Sequence, residues 1–160
     1  MELRSEISKK YLAESLIELM KKKNFNQITN KDITKKAGLS DITIYRNFNS
    51  KEEIIKYYLS HIFNDWKNNW KEDENIGFQI FSFFQENRIL IDLLYKSNLQ
   101  YLLIDNILTI HNYKKEDSNV EAYSKVTVAY LIFGWCDEWY KRGMKETPEE
   151  MMKYFEQTKK

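Results

Sequence analysis

Residues 41–51 read DITIYRNFNSK, which sets a carboxylate, hydroxyls, a phenol, a guanidinium, amides and an ammonium close together. These groups recognise; they do not break bonds. No nucleophile stands beside a base in the sequence, no glycine-rich loop could cradle a phosphate, and no cluster has metal-ligand spacing. His61 and His111 are far apart and unaccompanied, and Cys136 is the single cysteine, a small core residue by expectation. We expect no catalytic site, no metal and no cofactor. If 41–47 is a short helix with Ile44 facing inward, then Asp41, Ile42, Thr43, Tyr45, Arg46 and Asn47 occupy its other sides. Donors, acceptors and a methyl-bearing side chain on one short helix suit base edges in a nucleic-acid groove. Lys51 stands at the start of a following helix, where the N–H groups and the dipole also favour an anion. Asn30 and Lys31 hold the same position on an earlier helix. For Arg46 a plain surface ion pair is the competing reading.

Four start signals define the elements that would position these residues. Thr29 with Asp32, Ser50 with Glu53, and Thr147 with Glu150 have capping-box spacing, and Pro148 suits a first helical turn. Ser40 is a good N-cap with Thr43 three residues on. Helices are expected over about 5–23, 30–36, 41–47, 51–71, 76–87, 88–97, 99–112, 120–141 and 148–157. The first would present Ile7, Tyr11, Leu12, Leu16, Leu19 and Met20 on one face. Asn24 would close it in the left-handed conformation, with Phe25 and Ile28 folding back. Gly38 supplies the positive φ that lets residues 30–36 turn sharply into residues 41–47. That is a helix-turn-helix, with Ile33, Ala37, Leu39, Ile44 and Phe48 sharing a core with the first helix.

With only 4 glycines and 1 proline in 160 residues, and 42% hydrophobic content, the chain reads as all-α and able to bury a core. A single cysteine suits a reducing compartment, the N-terminus lacks signal-peptide character, and no apolar run approaches the ~18 residues of a membrane span. The expected location is cytoplasmic. The net charge of +1 conceals an asymmetry: 11 Lys/Arg against 6 Asp/Glu through residue 51, then 14 against 18. A polyanion partner at the basic end is one reading; a solvated surface with chance bias is the other.

The stretch ITNKDITKKAGLSDITIYRNFNSKEEII resembles the DNA-binding domain of TetR-family transcriptional regulators. The resemblance runs over about residues 5–60. It is carried by Thr29, Asp32-Ile33, Ala37-Gly38-Leu39-Ser40, Thr43-Ile44-Tyr45, Phe48 and Lys51-Glu52, with Ala13, Leu16 and Phe25 upstream. The sequence departs from the family pattern at Asn24 (often Gly), at Thr34 (usually Ala) and at Ile42 (commonly small or Pro). The resemblance implies phosphate contacts at Asn30, Lys31, Thr43, Asn47 and Lys51. It implies base contacts at Asp41, Ile42 and Tyr45, the last able to do both. It further implies a three-helix DNA-binding domain over 1–50, joined through the long fourth helix to a helical effector-binding and dimerisation domain over 51–160. A homodimer on a palindromic operator in double-stranded DNA follows, most commonly as a repressor.

By the same resemblance, Trp66, Trp70, Phe81, Phe84, Tyr101 and Trp135 are candidates to line a pocket for a small-molecule effector. Plain core packing explains such aromatics equally. Val126, Val128, Ala129, Ile132, Phe133 and Cys136, with Ala122 and Gly134 for close approach, make an apolar surface broader than one small chain buries easily. With the last helix it reads as a homodimer interface. The stretch YLIFGWCDEWYKRGMKETPEE resembles a short-bodied, DhaS-like branch of the family. That implies an alternative: a coactivator working through a protein partner, with no small-molecule pocket.

Overall fold

The computed structural model describes residues 2–70 and 75–158. Among them are nine α-helices, α1 (Glu2–Met20), α2 (Asn30–Ala37), α3 (Asp41–Asn47), α4 (Lys51–Lys67), α5 (Ile76–Glu86), α6 (Arg88–Lys96), α7 (Leu103–Ile110), α8 (Asn119–Lys141) and α9 (Pro148–Gln157). Short 3₁₀ turns lie at Phe25–Gln27 and Gln100–Leu102, and no strand occurs among the described residues. The chain is all-α. The polar stretch 71–74, expected to close α4, lies outside the described residues.

The described residues divide into two compact units. One holds the chain up to Asp65 together with Asp92–Gln100; the other holds Trp66–Ile91 and the chain from Tyr101 onward. In the first unit α1 packs on α2 and α3. Its core is Leu12, Ala13, Leu16, Ile17 and Met20 of α1 against Ile33, Ile44 and Phe48. Ile7 and Tyr11 stand off this face, 47% and 52% exposed, because the buried positions of α1 follow the 12, 13, 16, 17, 20 spacing that excludes both. Residues 92–100 join this unit through Leu93, Leu94 and Leu99, all buried.

The turn between α2 and α3 follows the sequence. Thr29 and Asp32 form a full capping box at the start of α2. Gly38 ends it at φ 68, ψ 29, and Leu39 N–H bonds the Thr34 carbonyl at 3.0 Å, which closes a Schellman-type turn. A Cβ on Gly38 would meet nothing within 4 Å, so the backbone conformation, not crowding, asks for glycine.

Three caps differ from expectation. Asn24 is extended, at φ −60 and ψ 135, not left-handed. Its side chain accepts from Asn26 N–H and starts the 3₁₀ turn, so the chain leaves α1 without needing positive φ. Ser40 has the N-cap backbone but makes no side-chain cap bond; its hydroxyl lies 3.0 Å from the Thr43 hydroxyl. Ser50 caps Glu53 N–H at 3.1 Å, while the Glu53 carboxylate reaches past it to Asn49 N–H at 2.7 Å.

In the second unit α5 packs on α8 and α9, and α7 on α8. Phe81, Phe83 and Phe84 of α5 and Trp139 of α8 are fully buried, and Phe81 meets the Trp139 and Phe155 rings edge-on. Thr147 and Pro148 start α9 as expected. A capping box at Ser118 and Glu121, readable from its spacing, starts α8.

Candidate nucleic-acid interface

Helix α3 presents two kinds of side chain. Ile44 is buried and anchors it to α1 and α2. Ile42 is 61% and Tyr45 68% exposed, and Asp41 and Arg46 are exposed beside them. Positions 41, 42, 45 and 46 form one helical stripe. At 1.5 Å per residue it spans roughly 7.5 Å, about two base-pair steps of 3.4 Å. The stripe offers a carboxylate, an aliphatic methyl surface, a phenol hydroxyl and a guanidinium, and the Tyr45 and Arg46 polar groups have no partner among the described residues. A large aliphatic and a phenol left in water at the tip of a helix give no gain to the unbound fold.

Three other predicted residues, Thr43, Asn47 and Lys51, are already engaged. Asn47 Nδ2 donates to the Thr43 carbonyl at 2.7 Å, and its Oδ1 accepts from the Ser5 hydroxyl at 2.7 Å, so its amide ties α1 to α3. Thr43 faces Ser40. The Lys51 ammonium donates to the carbonyls of Phe25 at 2.7 Å and Ile28 at 2.8 Å, and burial lowers its pKa from the ordinary lysine value. A third N–H remains on that ammonium. Asp41 Oδ1 accepts from the buried Thr34 hydroxyl at 2.5 Å. The Ser5–Asn47 and Thr34–Asp41 contacts escaped the sequence reading, because hydroxyls 42 and 7 residues away leave no periodic signal.

Charge around the stripe favours a polyanion. Lys31 is exposed in the first turn of α2, and Lys35 and Lys36 are exposed in its last. None of them makes an ion pair among the described residues, whereas Lys9, Lys21 and Lys23 on α1 and its following turn are paired with Glu6, Glu18 and Asp32. The Asp32 carboxylate is held well below its usual pKa by the Lys23 ammonium and by Thr29 N–H, so its charge is spoken for. Asn30 is half-buried and lines a small cleft with Tyr45, Asn49 and Ser50.

Residues 13–58 match the family described as bacterial regulatory proteins, tetR family. This span holds the α2–turn–α3 unit and the start of α4. The chain carries a tetR-family DNA-binding domain. Over 51 residues it is 35% identical to a protein described as an uncharacterized HTH-type transcriptional regulator, YvkB, of Bacillus subtilis. That similarity covers 32% of this chain and 27% of the relative. The structure of Lin0861 from Listeria innocua shares the fold, with a TM-score of 0.73 over 99% of this chain and 92% of that one, at 18% identity.

In the second unit the six candidate aromatics are scattered. Phe81 and Phe84 have no exposed surface. Trp66 stands edge-on to Trp70 and Phe83 at 4.9 Å each. Tyr101 is 53% exposed. Trp135 packs on Phe155 and lines an open groove of about 620 Å³ between α8 and α9, with Tyr130, Leu131, Gly134, Met151 and Tyr154. Among the described residues no group of three or more His, Cys, Asp or Glu could hold a metal, and no described helix is long and apolar enough to cross a membrane.

Proposed function

We propose that the chain is a DNA-binding transcriptional repressor of the tetR family, acting in the cytoplasm as a homodimer on a palindromic operator and released by a small-molecule effector. The first domain would comprise residues 1–50 and the effector-binding and dimerisation domain residues 51–160. The exposed Ile42–Tyr45–Arg46 stripe, within a matched tetR-family domain, carries the reading. Asp41, Ile42 and Tyr45 would contact base edges in the major groove. Lys31, Asn30 and Arg46 would contact phosphates. Thr43, Asn47 and Lys51 would contribute through the donors their internal bonds leave over, or by fixing the helix.

A second copy of the chain would cover the open face of α8. That face runs along α8 as far as Gly134 through Val120, Tyr123, Tyr130 and Leu131, from 76% to 50% exposed, and Gly134 has nothing within 4 Å of a Cβ; Ala129, Ile132 and Cys136, which the sequence placed on the interface, are instead buried within the subunit. Two-fold pairing of α8 and α9 gives a four-helix bundle and demands a two-fold operator. An effector then acts by favouring one arrangement of the two DNA-binding domains, with a coupling of ~1–3 kcal/mol.

Fluorescence anisotropy on DNA from upstream of the protein's own gene, against scrambled DNA over a salt series, tests this. Binding at least ~10³-fold tighter to the upstream DNA, with a steep salt slope, supports it. Equal weak binding to both removes it. A second reading, a coactivator working through a protein partner, draws on the filled aromatic core of α5 and α8 and on the exposed apolar face of α8.

A further inference from the structure

Thr34 has no exposed surface, yet its hydroxyl reaches an exposed carboxylate. Thr34 Oγ1 lies 2.5 Å from Asp41 Oδ1 and 3.3 Å from the Lys31 carbonyl oxygen. A hydroxyl has one proton, and the far shorter contact to an acceptor-only carboxylate takes it. Asp41 is the first residue of α3, and its Oδ2 has no partner among the described residues. A carboxylate in a helix's first turn is explained by the dipole. A buried hydroxyl on the preceding helix, aimed at that carboxylate, is not. What the bond adds is orientation: with Oδ1 tied to α2, Oδ2 is held in one place beside Ile42 and Tyr45.

A fixed carboxylate beside a groove-reading stripe is a selective instrument. It accepts a hydrogen bond from cytosine N4, repels the O6 and O4 acceptors of guanine and thymine, and is disfavoured at adenine by the N7 acceptor beside its N6 amine. Untethered, the same side chain could turn toward solvent and tolerate all four bases.

We propose that Thr34 is a specificity-positioning residue: it tethers Asp41 from beneath, so that α3 demands a cytosine amino group at one base pair of each half-site. This rests on the DNA-reading function proposed above. The test is selection from a randomised DNA pool with the full-length wild type, Thr34→Val, Thr34→Ser and Asp41→Ala, each checked for its thermal midpoint. Wild type should enrich a motif with cytosine favoured roughly tenfold at one position. Thr34→Val should flatten that position alone, Thr34→Ser should keep it, and Asp41→Ala should lose it. A Thr34→Val motif unchanged from wild type overturns the proposal, as does an equal loss at every position. If Thr34→Val does not fold, Asp41→Ala decides: an unchanged motif overturns the proposal. A wild-type motif with no position sensitive to Asp41→Ala overturns it while DNA reading stands. A wild type that enriches nothing removes both.

Discussion

The Lys51 ammonium lies 4.4 Å from the centroid of the Phe25 ring and donates to that residue's carbonyl oxygen at 2.7 Å. A second donor reaches the Ile28 carbonyl at 2.8 Å. The first residue of α4 thus latches onto the turn that leads from α1 to α2. Hydrogen bonds from a charged group are worth more than neutral ones, but Lys51 is half-exposed, so the latch contributes about 1–2 kcal/mol. Lys51→Met keeps most of the stem and removes the ammonium. We expect a lower urea midpoint with an unchanged slope. An unchanged midpoint would show that water replaces the latch at no cost. A Lys51 variant that binds DNA poorly therefore has two explanations, and stability must be measured beside affinity.

Lys31 and Arg46 make cleaner phosphate probes, since neither holds the fold together. Lys31→Ala and Arg46→Ala should each weaken DNA binding across all sequences and lower the salt slope by about 1, with stability changed by less than about 0.5 kcal/mol. Ile42→Ala should behave in the opposite way. It should alter base preference at one position and leave the salt slope intact, because a methyl contact releases no counterion. Anisotropy titrations at several salt concentrations separate the two classes. A changed slope with unchanged preference for Ile42→Ala would sink the base-contact assignment.

Local chemistry was legible in the sequence; hydrogen bonds across elements were not. Gly38 could be read because only one backbone conformation makes the turn, and φ 68 realises it. The Thr29–Asp32 and Thr147–Glu150 boxes could be read because each partner lies three residues away. Asn24 misled because two local structures compete for it: a left-handed C-cap and a side-chain cap for the next turn. The second needs no positive φ and prevails. Asn47 and Lys51 looked like free donors, yet their partners, Ser5 and the Phe25 and Ile28 carbonyls, are more than twenty residues away. The aromatics of α5 were assignable to a helix but not to core or pocket, since both uses impose the same periodicity.

Asp32 predicts a pH dependence in the first unit. Its carboxylate accepts from Lys23 Nζ and from Thr29 N–H, each at 2.9 Å, and its folded pKa is depressed. A depressed acid contributes stability that is present above its unfolded pKa, about 4, and is lost as pH falls through the folded value. Wild type and Asp32→Asn should therefore differ most near neutral pH, and the gap should begin to narrow below about pH 4 and keep narrowing as pH falls further toward the depressed folded value. Thermal midpoints from pH 7 to pH 2.5 check this. The group is exposed, so the difference should also shrink in 1 M salt. A gap between the two proteins that stays constant with pH would assign the effect of the substitution to packing or helix propensity.

The open face of α8 predicts the assembly state. Leu131 is 50% and Tyr130 55% exposed, midway along the helix and next to Gly134. In an isolated chain Leu131→Glu replaces an exposed side chain, so helicity and the thermal midpoint of the subunit should barely change. In a dimer paired through this face the same substitution would bring a carboxylate from each copy into the interface, where water is excluded. Each would be buried without a partner, a cost that a marginal interface does not tolerate. Light scattering behind size exclusion should show wild type as a dimer and Leu131→Glu as a monomer. The monomer should bind a single half-site about as before, but lose roughly 10²-fold or more on a full palindrome, because the second half-site is no longer tethered. A Leu131→Glu protein that remains dimeric with full affinity would move the interface off this face of α8.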